Sequence, residues 1–175
     1  MILAVFADEP HDVIFIERAG HLRRHAGQIG LPGGSADPLD AQNPATTALR
    51  ELQEELGVSP ERVRVLGALP ELEQTSNRFL VTPVVGVVQP GTLLTIDHAE
   101  TVGVFTVPLG AILEPGAIYE EVELSITRGM KTYALDYDEH HIWGLTGRIL
   151  KSFVDAWNAE RSQLRSDIEA AFINT

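Results

Sequence analysis

Apolar residues open the chain as an unbroken run, MILAVFA over 1–7, and return as VIFIE over 13–17 beyond a polar DEPHD stretch. Two such runs about a turn predict a β-hairpin. Residues 20–40 are rich in Gly and Pro and are expected to form a long ordered loop. Asn43-Pro44 then supplies an N-cap and first helical residue, and Gly57 a C′ residue, so a helix is predicted over Pro44–Leu56. Residues 63–69, 79–88 and 101–107 read as strands, and 120–126 and 131–137 as a further pair about a TRGM turn. From Ile142 the residues Leu145, Ile149, Leu150, Phe153, Val154 and Trp157 recur at helical spacing. A last amphipathic segment, 164–172, is expected to pack on the domain or on a second subunit. There is no internal repeat, low-complexity tract or linker. The pattern is that of one mixed α/β domain over 1–175, with 156–175 as a C-terminal helical extension.

Composition narrows the function. A length of 175 residues suits one domain with a proper core. No 18-residue apolar run exists, so no membrane span is expected. MILAVFADEP lacks the basic region and cleavage site of a signal peptide, and reads as a strand with almost no arm before it. The chain has no cysteine, which excludes disulfides and thiolate metal sites and fits a reducing cytoplasm. A net charge of −12 disfavours a nucleic-acid binder, since phosphate backbones are held by Lys and Arg. A protein this acidic handles polyphosphates only with divalent cations or a local basic patch.

Both features are present. On the 44–56 helix, Ala45, Leu49, Leu52 and Leu56 define the expected buried face, and Glu51, Glu54 and Glu55 cluster beside it at i, i+3 and i+4. Only Arg50 is near to relieve their repulsion, and the acids lie toward the end of the helix where its dipole disfavours negative charge. A hard divalent cation, Mg2+ or Mn2+, relieves such a set best. Just upstream, Pro32-Gly33-Gly34 lets the backbone approach another group, so that carbonyls or amides there can face a metal or a phosphate.

Gly34, five residues, Asp40, nine residues, then Arg50-Glu51-Leu52-x-Glu54-Glu55-x-Gly57-Val58 resembles the Nudix box, G-x5-E-x7-R-E-U-x-E-E-x-G-U with U aliphatic. The second half agrees at every specified position. In the first half Asp40 stands where the family has Glu, and the spacer is two residues longer. The family's Glu pairs with the Arg of the box, so the resemblance implies an Arg50–Asp40 pair. It further implies an α/β/α sandwich with a mixed sheet, and hydrolysis of a nucleoside diphosphate linked to a moiety X. Metal ions would be held by Glu51, Glu54 and Glu55 with the Gly34 carbonyl. Glu54 is then the box candidate for catalytic base, with Glu51 and Arg50 in supporting roles; Glu100, Glu120, Glu121 and Glu123 are later possibilities.

The residues before the box address X. Arg18-Ala19, Arg23, Gly27 and Leu31-Pro32-Gly33-Gly34 resemble, in spacing throughout, the upstream motif of the coenzyme A pyrophosphatase subfamily, with Leu31 in place of Phe. The resemblance implies that Arg18, Arg23, Gly27, Pro32 and Gly33 contact substrate. A cationic island of Arg18, Arg23 and Arg24 suits the phosphates of coenzyme A; the plainer alternative is that the same arginines pair with surface acids. Residues 75–88 and 141–150 also look like that subfamily, which often has extra residues before the first strand.

Other features are plainer. His21 and His25 stand at i, i+4 without an obvious third zinc ligand. His140-His141 reads as a cap or surface feature, and Trp143 and Trp157 as core. The leading expectation is a metal-dependent coenzyme A pyrophosphatase. Alternatives are a Nudix hydrolase of ADP-ribose, NADH or a dinucleoside polyphosphate, and a catalytically silent nucleotide-binding module. The terminal helix makes a homodimer a reasonable expectation.

Overall fold

A computed structural model describes residues 1–20, 27–74, 79–99, 101–122, 131–159 and 162–173. In chain order the strands and helices are β1 (Ile2–Phe6), β2 (Asp12–Arg18), β3 (Ile29–Gly30), α1 (Pro44–Leu56), β4 (Val63–Ala68), β5 (Leu72–Glu73), β6 (Leu80–Val81), β7 (Val84–Val88), β8 (Thr101–Pro108), α2 (Leu109–Leu113), β9 (Ile118–Val122), β10 (Lys131–Tyr137), β11 (His140–Ile142), α3 (Gly144–Asn158) and α4 (Gln163–Ile173). Short 3-10 turns lie at Pro38–Asp40 and Pro60–Arg62.

The main sheet is mixed. Apolar β1 and Val-rich β7 run parallel, from Ile2 opposite Val84 to Phe6 opposite Val88, and β4 lies antiparallel beyond β7. On the other side β2 shares one edge between two partners. It meets β1 at Val5–Val13, then β3 at Ile16–Gly30 and Glu17–Ile29. Its other edge pairs along its whole length with β8. The fork between β1 and β3 is closed by the following segment, where the Pro32 carbonyl accepts from the Ile2 amide at 2.9 Å.

Period-two alternation sorts the strand residues onto two faces. Ile2, Ala4, Ile14 and Ile16 pack with Ala48, Leu52 and Leu56 of α1 in one cluster. Leu3, Val5, Val13 and Phe15 pack with Ile149, Leu150 and Phe153 of α3 in the other. Helices therefore cover both faces, giving the expected α/β/α sandwich. Each leucine buried beneath α1 contributes on the order of 2 kcal/mol toward seating that helix.

A second, antiparallel sheet in the order β9-β10-β11 lies under α3. On it Asp136 accepts from the Tyr119 hydroxyl at 2.6 Å and faces His141 Nδ1 at 2.6 Å. The last helix packs on the body, burying Ile168 and Ala171 and stacking Phe172 on His11. Among the described residues no helix is long and apolar enough to cross a membrane.

Some expectations are corrected. The strand expected over 79–88 breaks at Thr82-Pro83, because proline has no amide to continue the ladder. His140 and His141 belong to β11, and helix begins at Gly144 rather than at Ile142. Trp143 is exposed, with its ring over His141, so it is not core.

Candidate active site

The site is built on α1. Asn43 Oδ1 accepts from the Ala45 amide at 3.0 Å, and Gly57, at φ 70°, closes the helix by donating to the Gln53 carbonyl at 2.9 Å. The downstream loop completes that end: the Thr95 amide reaches the Leu56 carbonyl at 2.8 Å and the Asp97 amide the Glu55 carbonyl at 2.9 Å. Two donors thus meet the negative end of the dipole, next to the acids it would disfavour.

The buried face differs from the expected one. Ala48, Leu52 and Leu56 are buried, but so are Thr47 and Glu55, while Ala45 and Leu49 are only half-buried. Glu55 turns inward because a donor arrives from the glycine loop: the Gly33 amide gives its hydrogen bond to Glu55 Oε2 at 2.9 Å. Arg18, at the end of β2, brings Nη1 to 3.7 Å from Glu55 Oε1. The three glutamates therefore do not share one solvated face.

Gly33 and Gly34 are required by close approach. Gly33 adopts φ 147°, and a Cβ there would lie 2.5 Å from the Cα of Met1. A Cβ on Gly34 would lie 2.5 Å from both carboxylate oxygens of Glu51. Since that obstacle is the end of a flexible side chain, Gly34→Ala is expected to displace Glu51 without unfolding the protein. Steady-state kinetics should show kcat reduced about tenfold, with melting nearly unchanged.

Arg50 ties the carboxylates together. Its Nε and Nη2 meet Asp40 Oδ1 and Oδ2 at 3.1 and 3.2 Å, a two-pronged pair. Nη2 also lies 2.9 Å from Glu51 Oε1 and 3.0 Å from the Ser35 carbonyl, and Nη1 lies 2.8 Å from Glu54 Oε2. This network holds Arg50 protonated. It also lowers the Asp40 carboxyl to about 2, chiefly through the Arg50 hydrogen bonds, with help from the Asp37 amide and Thr47. The folded value lies below the 3.8 of an ordinary aspartate, so this stabilisation is complete above about pH 4 and lost as pH falls toward 2. Asp40→Asn should melt below the parent at neutral pH, with the gap closing across that window in paired thermal scans.

The longer spacer contains an unusual turn. Directly after Asp40, Ala41 and Gln42 both take left-handed φ, 51° and 58°, before Asn43 starts the helix. Two consecutive non-glycine residues there cost about 1–2 kcal/mol each.

Among the described residues, no three His, Cys, Asp or Glu side chains converge as a ready-made metal cage. Arg50 spans Glu51 and Glu54, and Glu55 is committed to Gly33. The donors still suit a hard cation: three carboxylates on consecutive turns of one helix, and a glycine whose missing Cβ makes room for one of them. Gly27 donates to the Arg18 carbonyl at 3.0 Å, which ties two positions of the upstream motif together. Arg23, His21, His25, Glu100 and Glu123 lie outside the described residues. Glu121 is on the second sheet, 3.5 Å from His141. Two surface clefts, one lined by Trp157, Ser162 and Arg165 and one by Leu72, Tyr133 and Lys151, lie by α3 rather than at α1.

A mixed sheet thus lies between helices, with a glycine loop pressed onto an acidic helix. The chain belongs to the Nudix family: the NUDIX domain model matches residues 1–128. It is 38% identical over 152 residues to the uncharacterized Nudix hydrolase NudL of Photorhabdus laumondii, covering 86% of this chain and 79% of that protein. In structure it is similar to the Nudix hydrolase RenU of M. smegmatis, with TM-score 0.51, 19% identity, and 61% of this chain and 67% of that one covered. It is also similar to a MutT protein of Methanosarcina mazei Go1, with TM-score 0.50, 23% identity, and 64% and 78% covered. The two structures bear on the fold alone. Nudix hydrolases as a class use divalent ions such as Mg2+ or Mn2+.

Proposed function

We propose that this chain is a metal-dependent pyrophosphohydrolase that cleaves the diphosphate of coenzyme A or its thioesters. The products would be adenosine 3′,5′-bisphosphate and 4′-phosphopantetheine or its acylated form. One observation carries the substrate: Arg18, the start of the upstream motif, lies with its guanidinium 3.7 Å from Glu55 of the acidic helix. That contact supports reading the two motifs as parts of one site.

Glu51, Glu54 and Glu55, with the Gly34 carbonyl, would hold the Mg2+ or Mn2+. Bound there, the ion would screen the diphosphate and lower the pKa of a water. The protein's own residues supply the rest. Glu54, the most exposed of the three, is the candidate to accept the proton of the attacking water. Arg50 bridges Glu51 and Glu54, and Gly33 orients Glu55. Arg18, with Arg23, Gly27, Pro32 and Gly33, would position the phosphates of the substrate. The Asp40 departure and longer spacer were the best support for a silent binding module. Asp40 engages Arg50 with both oxygens, which answers the first of these and supports the enzymatic reading.

The test is incubation of the protein with coenzyme A and Mg2+ or Mn2+, with products identified by mass. ADP-ribose and NADH run in parallel, and Glu54→Gln serves as blank. Adenosine 3′,5′-bisphosphate formed only by the parent supports the proposal. Cleavage of ADP-ribose or NADH alone would keep the Nudix chemistry and discard the substrate.

A further inference from the structure

Beside the acidic helix sits a polar group that no step above uses. Thr47, on the buried face of α1, gives its hydroxyl to Asp40 Oδ2 at 2.8 Å. A helical threonine ordinarily turns back to the carbonyl four residues earlier, but here that atom, the Asn43 carbonyl, is 3.5 Å away. The Asp40 carboxylate is 2% exposed and accepts from the Asp37 amide, Thr47 and two Arg50 nitrogens. Three residues thus supply four donors to its two oxygens, which fixes the orientation of the carboxylate. The left-handed pair Ala41–Gln42 follows at once. Unfavourable backbone of this kind persists where the surroundings over-determine it, and it marks places held for a purpose. Here it folds the 3-10 turn back onto α1, close enough for an acid with a single methylene to span the gap.

We propose that Thr47 is a positioning residue of the site. Its hydroxyl, with the Ala41–Gln42 turn, fixes Asp40 so that both oxygens meet one edge of Arg50. Arg50, held from behind, then bridges Glu51 at 2.9 Å and Glu54 at 2.8 Å in one fixed geometry and so sets the spacing at which the two would meet a cation. The inference deepens the functional reading and rests on Glu51 and Glu54 holding a metal.

The test is Thr47→Val, nearly the same shape without the hydroxyl, in the full-length chain. Three measurements are compared: solvent exchange of the Arg50 Nε–H by 15N NMR without metal, Mn2+ affinity by EPR, and kcat against KM on coenzyme A. Faster exchange, Mn2+ binding about tenfold weaker and a lower kcat at unchanged KM are expected, with Thr47→Ser restoring all three to within about threefold. A Thr47→Val protein that melts earlier but keeps exchange and Mn2+ affinity within about twofold overturns the proposal, since Thr47 would then be structural only. Thr47→Ala carries the same comparison should the valine variant not fold. Asp40→Glu should fail in the same way and recover when Ala41 and Gln42 are deleted with it. No recovery overturns the part assigned to the turn. The exchange measurement needs neither metal nor substrate, so a parent that hydrolyses nothing still passes or fails it.

Discussion

Glu54→Gln is expected to lower kcat on the cleaved substrate by about a thousandfold, within the range that loss of a positioned general base produces. Melting should move by no more than about 2 °C. The two outcomes separate because of where the side chain sits. Glu54 is 57% exposed, and its partner within the helix is Arg50 at i−4, a surface pair worth a few tenths of a kcal/mol. Glu55 should behave differently. It is buried between the Gly33 amide and Arg18, so Glu55→Gln keeps an acceptor for Gly33 but removes the charge facing the guanidinium. Stability and rate should then fall together. Kinetics and melts of both variants make the comparison. A Glu54→Gln enzyme within tenfold of the parent would transfer the base to Glu51 or to a carboxylate on a later loop.

Gly147→Ala is expected to destabilise the fold by about 3 kcal/mol or more, at the upper end of what overpacking does. The added Cβ would land on the carbonyl oxygen of Tyr133 and 2.6 Å from its carbonyl carbon. Both atoms belong to the backbone of β10, the middle strand of its sheet, so no rotamer change can clear them. Helix α3 must lift, and Ile149, Leu150 and Phe153 beyond Gly147 lose contact with the core. In a domain of this size that is a fall of roughly 6–12 °C in Tm. Gly110→Ala in α2, where an added Cβ meets nothing within 4 Å, serves as control and should melt with the parent. Equal melting of the two variants would mean that α3 can lift from β10 at little cost.

What could be read from the sequence is what local chemistry determines. Helix α1 has its expected bounds because Asn43 and Gly57 cap it within one turn of each end. The hairpin, the strand at 101–108 and the terminal helices follow from short-range periodicity in the same way. The burial of Glu55 could not be read, because the donor that draws it inward, Gly33, comes from 22 residues away. Thr47 was passed over for a similar reason. Threonine on a helix is unremarkable until Asp40 is brought against it. One signal was available: a polar residue one turn before Arg50, beside Ala48 on the buried face, needs a partner. Strand β11 escaped because three residues show no period, and only their register with Leu135, Asp136 and Tyr137 defines them.

The fork in the main sheet has a consequence for binding. The segment Leu31–Pro32–Gly33 does not hang over the site as a flap. Through Pro32 it is a rung between strands, and through Gly33 it is bonded to the acidic helix. On the proposed function, a floor secured on both sides is ordered before substrate arrives, and association there is expected to incur little ordering cost. Such a floor also adapts poorly. Altered substrate range in related or evolved sequences should therefore arise from walls added around residues 31–34, while those four residues themselves stay as they are.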